Sequence, residues 1–172
     1  LQLERDFEGT VLGLFQPAEE RGFAGARKVL EEDPFKEYDV AAVIGEHVDA
    51  DLEVGELGFC PGKFMASADE LHFTVKSGAA TGRVAKSPIV AAADLIMRLN
   101  AFNSDVCKVS VYRTVAEGIA DHMAEECRVE AMMRTYDEKL RGRIKDMIAH
   151  ATEEVEYKYD VEVVTDIHHG YP

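Results

Sequence analysis

Residues 70–76, Glu-Leu-His-Phe-Thr-Val-Lys, alternate polar and apolar side chains and place Leu71, Phe73 and Val75 on one face. Such alternation is typical of a β-strand that buries one side against a core. Further strands are predicted at residues 107–115, 127–135 and 159–167. This part of the chain is therefore expected to form a sheet that is half buried.

Two predicted helices alternate with these strands. Ser87-Pro88 is typical of a helix start, because a hydroxyl precedes a proline that tolerates the first helical position. The second helix is predicted from Thr135-Tyr136-Asp137-Glu138, which has the pattern of a capping box. The resulting order β-α-β-β-α-β predicts an α+β, ferredoxin-like domain over residues 63–172.

The chain upstream of Cys60-Pro61-Gly62-Lys63 has a different pattern, so we expect a domain boundary at this turn. Residues 9–16 and 40–45 are continuous apolar runs, and a helix is predicted between them over residues 22–32. Strand, helix and strand in this order are typical of a parallel α/β sheet. Residues 1–62 supply too few elements to close such a sheet, so they are expected to form part of an α/β domain.

The composition of the chain argues against two classes of binding partner. The chain has 172 residues and a net charge of −14, which argues against binding to a nucleic-acid backbone or an anionic membrane. Acidic residues concentrate upstream: residues 1–62 carry 15 acidic and 5 basic side chains, which favours solubility or a cation site. No apolar run approaches the ~20 residues of a membrane span. The three cysteines form no CxxC pair, so a reducing cytoplasm and three buried thiols are expected.

Potential catalytic side chains follow the two upstream apolar runs. Glu19 and Glu20 come after the first run, and His47 follows the second. Since the carboxyl ends of parallel strands meet at one edge, these positions could combine a base with metal ligands. The alternative is that the glutamates are first-turn helix acids and that His47 is simply exposed or hydrogen-bonded.

The other histidines carry weaker signals. His168 and His169 are adjacent near the end of a predicted strand, so their side chains should point to opposite sides. They are interpreted either as a weak metal point or as an exposed tail. His72 and His150 are expected on a strand surface and a helix surface, and His122 lies in a polar connection.

Several motifs, in the same order along the chain, resemble metal-dependent amidohydrolases of the aminoacylase/carboxypeptidase superfamily. The branch most similar contains the N-acyl-amino-acid, hippurate and indole-acetyl-amino-acid hydrolases. The motifs are Phe-Gln-Pro-Ala-Glu-Glu at 15–20, Gly-Glu-His-Val at 45–48, Pro-Gly-Lys-Phe-Met-Ala-Ser-Ala-Asp at 61–69, Pro-Ile-Val-Ala-Ala-Ala at 88–93, Arg-Thr-Tyr-Asp at 134–137 and Gly-Tyr-Pro at 170–172. The resemblance covers essentially the whole chain.

The resemblance implies a function and roles. It implies hydrolysis of the amide bond of small N-acyl amino acids with two divalent ions, zinc or manganese. Glu19 matches the general base, while Glu20 and His47 match metal ligands. Residues 63–172 match the lid or dimerisation domain, which implies a homodimer, and residues 1–62 match part of the metal-dependent catalytic domain.

The chain also departs from the family pattern. Where the family has a Gly-Gly-His-Ala-Ala loop in the lid, residues 77–80 read Ser-Gly-Ala-Ala without histidine. A second lid motif ends in asparagine, and His122 stands at that position. Gly78 and His122 therefore mark the expected substrate or oxyanion region. Family members extend beyond both ends with further ligands, so the isolated chain is expected to be weak or inactive. The alternative is a non-catalytic dimerisation or interaction module derived from the lid.

Overall fold

The computed structural model describes residues 8–18, 25–78, 87–119, 122 and 124–171. The chain divides into two compact units, Leu1–Ala50 and Asp51–Pro172. The boundary expected from the sequence lies about a dozen residues further along, at the turn before Lys63.

The first unit contains one helix in its described part, α1, at Gly25–Glu31. This confirms the portion of the predicted helix over residues 22–32 that the structure describes. Asp33 follows in a left-handed conformation, with φ of 50°, directly before Pro34. The helix ends here because a residue before proline is disfavoured in the helical region.

The predicted strands at 9–16 and 40–45 were wrong for this structure: the described residues of both segments have no strand conformation. Their apolar side chains are exposed, including Phe15 at 94% and Ile44 at 86%. A parallel strand exists only beside neighbours that accept its backbone hydrogen bonds and cover its faces. In the described part of residues 1–50 no such neighbour is present, so an apolar run alone does not form a strand.

The second unit is an α/β fold that contains one four-stranded antiparallel sheet. Its strands are β1 at Ser67–Ser77, β2 at Cys107–Ala116, β3 at Glu126–Thr135 and β4 at Val161–His169. Its helices are α2 at Pro88–Asn100 and α3 at Glu138–Tyr159. The sheet order is β2-β3-β1-β4, and the predicted chain order β-α-β-β-α-β is confirmed.

The core lies between one face of the sheet and the two helices. Along β1, every second side chain is buried, and Leu71, Phe73 and Val75 are at most 1% exposed. They join Leu95 of α2 and Ile148 of α3 in one hydrophobic cluster. The intervening side chains of β1 point to the other, half-exposed face, which we call the open face of the sheet.

Helix α3 begins two residues later than the capping-box pattern predicts. Asp137 is the N-cap, and its Oδ1 accepts a hydrogen bond from the Leu140 amide at 2.9 Å. Thr135 instead closes β3, paired with Ser67 and Cys107. Its Oγ1 donates to the Val106 carbonyl at 2.7 Å and accepts from the Asp137 amide at 3.2 Å, so it lies beside the start of α3 without being its N-cap.

The cysteines are only partly as expected. Cys107 and Cys127 are buried free thiols, and burial raises the pKa of both, so they pack as small apolar side chains. Cys60 is exposed, which corrects the prediction of three buried thiols, because it lies in a turn region outside the core. No helix in the described residues is both long and apolar enough for a bilayer span.

Candidate functional site

The sequence-predicted catalytic group belongs to the first unit. Glu19 and Glu20 lie outside the described residues. His47 is described, and it is exposed in a segment without regular secondary structure. The roles of general base for Glu19 and of metal ligands for Glu20 and His47 stay predictions.

The two lid positions singled out in the sequence belong to the second unit and lie at one end of the sheet. Gly78 directly follows β1, and His122 lies in the connection between β2 and β3. The Ser77 amide donates a hydrogen bond to the Glu125 carbonyl at 2.9 Å, which ties the end of β1 to that connection. The structure thus brings the segments of Gly78 and His122 together.

Gly78 is held at this sheet end by close backbone packing. A Cβ atom at this position would lie 2.2 Å from the carbonyl oxygen of Asp160. Asp160 is the left-handed C-cap of α3, with φ of 53° and ψ of 51°, so its carbonyl is fixed by the end of that helix. Only glycine fits without displacement of backbone, a constraint that arises from a residue far away in the sequence.

His122 lies at a narrow turn and lines a cleft. Its amide donates to the Ile119 carbonyl and its carbonyl accepts from the Ile119 amide, both at 3.0 Å. The cleft has a volume of about 800 Å³. Its lining includes Gly118, Ile119 and His122 together with Arg113, Arg128 and Glu130. Both guanidinium groups are paired with carboxylates of the lining, Arg113 with Glu130 at 2.8 Å and Arg128 with Glu126 at 2.5 Å. The exposed imidazole of His122 is the group suited to contact a carbonyl of a small molecule.

Histidines 168 and 169 are exposed, but they belong to β4 and not to a tail. As predicted, they point to opposite sides. His169 Nδ1 lies 2.7 Å from Lys145 Nζ, while His168 Nδ1 lies 3.7 Å from Glu70 Oε2. His72 on β1 and His150 on α3 occupy the strand surface and helix surface expected of them.

A cluster that the sequence patterns do not predict lies on the open face of the sheet. Glu70, His72 and His168 each offer one ligand atom, and these atoms lie within 4.8 Å of one another. The spacing of Glu70 and His72 already indicates one strand face, since residues two apart in a strand point the same way. The approach of His168 depends on the β1–β4 register, which the sequence does not display.

Comparison with known proteins supports the motif resemblance along the whole chain. The model of the family "Peptidase family M20/M25/M40" matches residues 1–171. The chain is similar to the N-acetyldiaminopimelate deacetylase of Bacillus cytotoxicus, with 30% identity over 162 residues, which are 89% of this chain and 43% of that protein. It is also similar to the N-acetyl-L-cysteine deacetylase of Bacillus subtilis, with 28% identity over 174 residues, 96% of this chain and 41% of that protein.

The chain is also similar to a solved structure. The YXEP protein of Bacillus subtilis, described as a dinuclear metal binding peptidase, superimposes with a TM-score of 0.69 and 30% identity. The match covers 92% of this chain and 40% of that protein. The motifs, the fold of the second unit and these relatives define a class of protein, the amidohydrolases and peptidases. Within that class, the chain belongs to peptidase family M20/M25/M40, as its motifs indicated. It spans about two fifths of the length of the curated relatives.

Proposed function

We propose that the protein hydrolyses the amide bond of small N-acyl amino acids with the help of divalent metal ions. The observation that carries this proposal is the family match over residues 1–171, together with two relatives named as N-acetyl amino acid deacetylases. N-acetylated amino acids are therefore the first substrates to test. The net charge of −14 and the lack of a clustered basic motif fit a small-molecule substrate better than a nucleic acid.

The proposed metal centre uses Glu20 and His47. A carboxylate and an imidazole are donor types that zinc and manganese accept, and the exposed ring of His47 is free to approach an ion. When bound, two such ions would polarise the scissile carbonyl and increase the acidity of water. Glu19 removes the proton from the attacking water and delivers it to the departing amine, so one carboxylate serves as base and then as acid.

Residues 63–172, which form most of the second unit, are proposed to be a ferredoxin-like lid. Its element order and strand order support this assignment. His122 is proposed to donate a hydrogen bond to the carbonyl oxygen as negative charge develops there. Gly78 shapes the backbone next to this position, since the segments of both residues meet at one sheet end.

The 172-residue chain on its own is proposed to be weak or inactive. The resemblance assigns only Glu20 and His47 as ligands within it, whereas a catalytic zinc commonly has three protein ligands. A cytoplasmic setting is proposed, which the free thiols of Cys60, Cys107 and Cys127 support.

A chimera tests the proposed function. Residues 1–172 replace the matching segment of the Bacillus subtilis N-acetyl-L-cysteine deacetylase, and acetate release is measured from a panel of N-acetyl and N-benzoyl amino acids. We expect hydrolysis that a chelator abolishes and that zinc or manganese restores. A folded chimera that shows no metal-dependent hydrolysis, beside the active parent enzyme, would contradict the proposal.

Dimerisation through the second unit is a second candidate function, and an open sheet edge favours it. β2 pairs on one side with β3 and is the end strand of the sheet in the described residues. Its flank exposes Val106 at 55%, and α2 exposes Met97 at 68%. Light scattering of the chain should give a dimer mass, and Met97→Lys should give a monomer. Met147→Lys, at a position of α3 that is 48% exposed, is the matched control and should leave the dimer intact.

A further inference from the structure

Three ligand-type side chains converge on the open face of the sheet. Glu70 and His72 lie two residues apart on β1 and therefore point the same way. His168 on β4 is the direct partner of Glu70 in the antiparallel register. Opposed residues in an antiparallel pair share a face, so the sheet fixes all three side chains toward one point.

Their separations suit a tetrahedral ion. Glu70 Oε2 lies 3.5 Å from His72 Nε2 and 3.7 Å from His168 Nδ1. Zinc bonds nitrogen and oxygen at about 2.0–2.2 Å, so two ligands of a tetrahedral zinc lie about 3.3–3.6 Å apart. The two separations from Glu70 are close to this range, and all three ligand atoms lie within 4.8 Å of one another, so an ion among them would draw the atoms closer together.

One of the three ligand atoms makes no hydrogen bond. His72 Nε2 is buried, and it is the one buried side-chain nitrogen or oxygen in the described part of the chain without a hydrogen bond. Buried polar atoms in proteins are nearly always satisfied, so such an atom calls for a partner. The lone pair of a neutral imidazole is a metal ligand, and an ion at this point would satisfy it.

A second carboxylate orients His168. Its Nε2 lies 2.9 Å from Asp166 Oδ2, on the side of the ring opposite to the Nδ1 that faces Glu70. Donation from Nε2–H to Asp166 leaves Nδ1 unprotonated and directed at the cluster. Histidines that bind metals commonly have such a carboxylate behind them, which fixes the tautomer and makes the ligand more basic.

We propose that Glu70, His72 and His168 form a binding site for a zinc-type divalent cation, with Asp166 as the positioning residue. The site shares no residue with the metal centre proposed for Glu20 and His47. Two imidazoles and one carboxylate leave one tetrahedral position for water or another ligand. Two nitrogen donors favour zinc or cobalt over calcium or magnesium, which prefer oxygen ligands.

Metal binding can be measured directly. Chain carrying Glu20→Ala and His47→Ala, which removes the other proposed ligands, is titrated with Zn²⁺ by calorimetry and with Co²⁺ by visible absorption. We expect one ion per chain and the strong Co²⁺ absorption of a four-coordinate site. His72→Gln and His168→Gln should each abolish both signals. Asp166→Asn should weaken binding by about 10–100-fold and retain the Co²⁺ spectrum.

The matched control is His150→Gln. His150 also contacts two carboxylates, but through different ring nitrogens, 3.8 Å from Glu153 and 3.4 Å from Glu154, so no common point for an ion exists. This variant should bind as the parent does. Far-UV circular dichroism verifies each fold, and Asp166→Asn keeps all three ligands if a ligand variant unfolds. No bound ion in the folded parent, or unchanged affinity in His168→Gln and Asp166→Asn, would overturn the proposal.

Discussion

Asp69 illustrates how much of the stability of the second unit depends on one residue. Its carboxylate is fully buried and accepts two hydrogen bonds from Arg141, from Nη2 at 2.6 Å and from Nε at 2.8 Å. Lys145 Nζ lies 3.1 Å from Oδ2, and the Gly170 amide donates to Oδ1 at 3.2 Å. These contacts link β1 to α3 and to the end of β4.

We predict that the free energy of unfolding depends on pH through the ionisation of Asp69. Burial alone would raise the pKa of this carboxyl, but hydrogen bonds from Arg141 and Lys145 outweigh burial and lower the pKa below its ordinary value. The stabilisation is therefore complete above the unfolded pKa of about 3.9 and is lost as pH falls through the folded pKa. Urea unfolding should be measured between neutral pH and pH ~2. The free energy of unfolding of the wild type should exceed that of Asp69→Asn by a margin that shrinks as pH falls. An advantage that is constant with pH would contradict this origin.

Removal of Arg141 is predicted to be costly at neutral pH. The side chains of Arg141 and Asp69 are 8% and 0% exposed, so Arg141→Met leaves a buried carboxylate with less compensation. Loss of one partner of a buried ion pair costs about 3–5 kcal/mol in the free energy of unfolding. Arg143→Met, at an exposed position of the same helix, should change it by less than about 0.5 kcal/mol in urea unfolding. Equal effects of the two substitutions would show that the pair is not a stabilising contact.

At the scale of elements, the local sequence pattern predicted the strands and helices whose packing partners are present in the described residues. The alternation around Leu71 and Phe73 predicted β1, and the Ser87-Pro88 start predicted α2, because both reflect one buried face or one backbone constraint. The apolar run at residues 40–45 is also typical of a buried strand, but it formed no strand. Periodicity reports what a segment could bury and does not supply the neighbouring strands that a sheet requires.

Local sequence patterns predicted only some of the site residues. Sequence spacing placed Glu70 and His72 on one strand, yet the third member, His168, lies nearly a hundred residues further on and joins through sheet register. The family resemblance of residues 77–80 marks Gly78, whereas its packing requirement comes from the carbonyl of Asp160. Such contacts depend on how distant elements meet, which no local pattern contains.

Two glycines give opposite predictions for the same change. Gly78→Ala would place a Cβ 2.2 Å from the Asp160 carbonyl oxygen, so the ends of β1 and α3 must separate. We expect a loss of about 1–3 kcal/mol in the free energy of unfolding. Gly142→Ala, within α3, meets nothing within 4 Å and should stabilise by up to about 1 kcal/mol through helix propensity. Urea denaturation measures both, and a neutral Gly78→Ala would contradict the packing role.

At the scale of the whole molecule, the hydrophobic cluster lies entirely within the second unit, from Leu71 to Ile167. Large apolar side chains of the first unit, such as Val43 and Ile44, are 79% and 86% exposed. Their sequence pattern is that of buried strands, as in a larger α/β domain. The family model matches residues of both units, since it covers residues 1–171.

We predict that residues 51–172 fold without residues 1–50, because all members of the cluster lie within the second unit. The fragment should give a cooperative urea transition with the same midpoint as the full chain, observed by circular dichroism. A fragment that is unfolded in buffer would contradict the division into two units.

We propose that Glu19 acts as general base at a metal centre held by Glu20 and His47. The most direct measurement is the turnover number for N-acetyl amino acid hydrolysis by the chimera carrying Glu19→Gln, with metal content measured on the same sample. We predict a fall of at least ~100-fold with metal content unchanged, while Glu31→Gln, on the exposed surface of α1, retains full activity. A Glu19→Gln chimera that retains metal and turns over at the parent rate would contradict it.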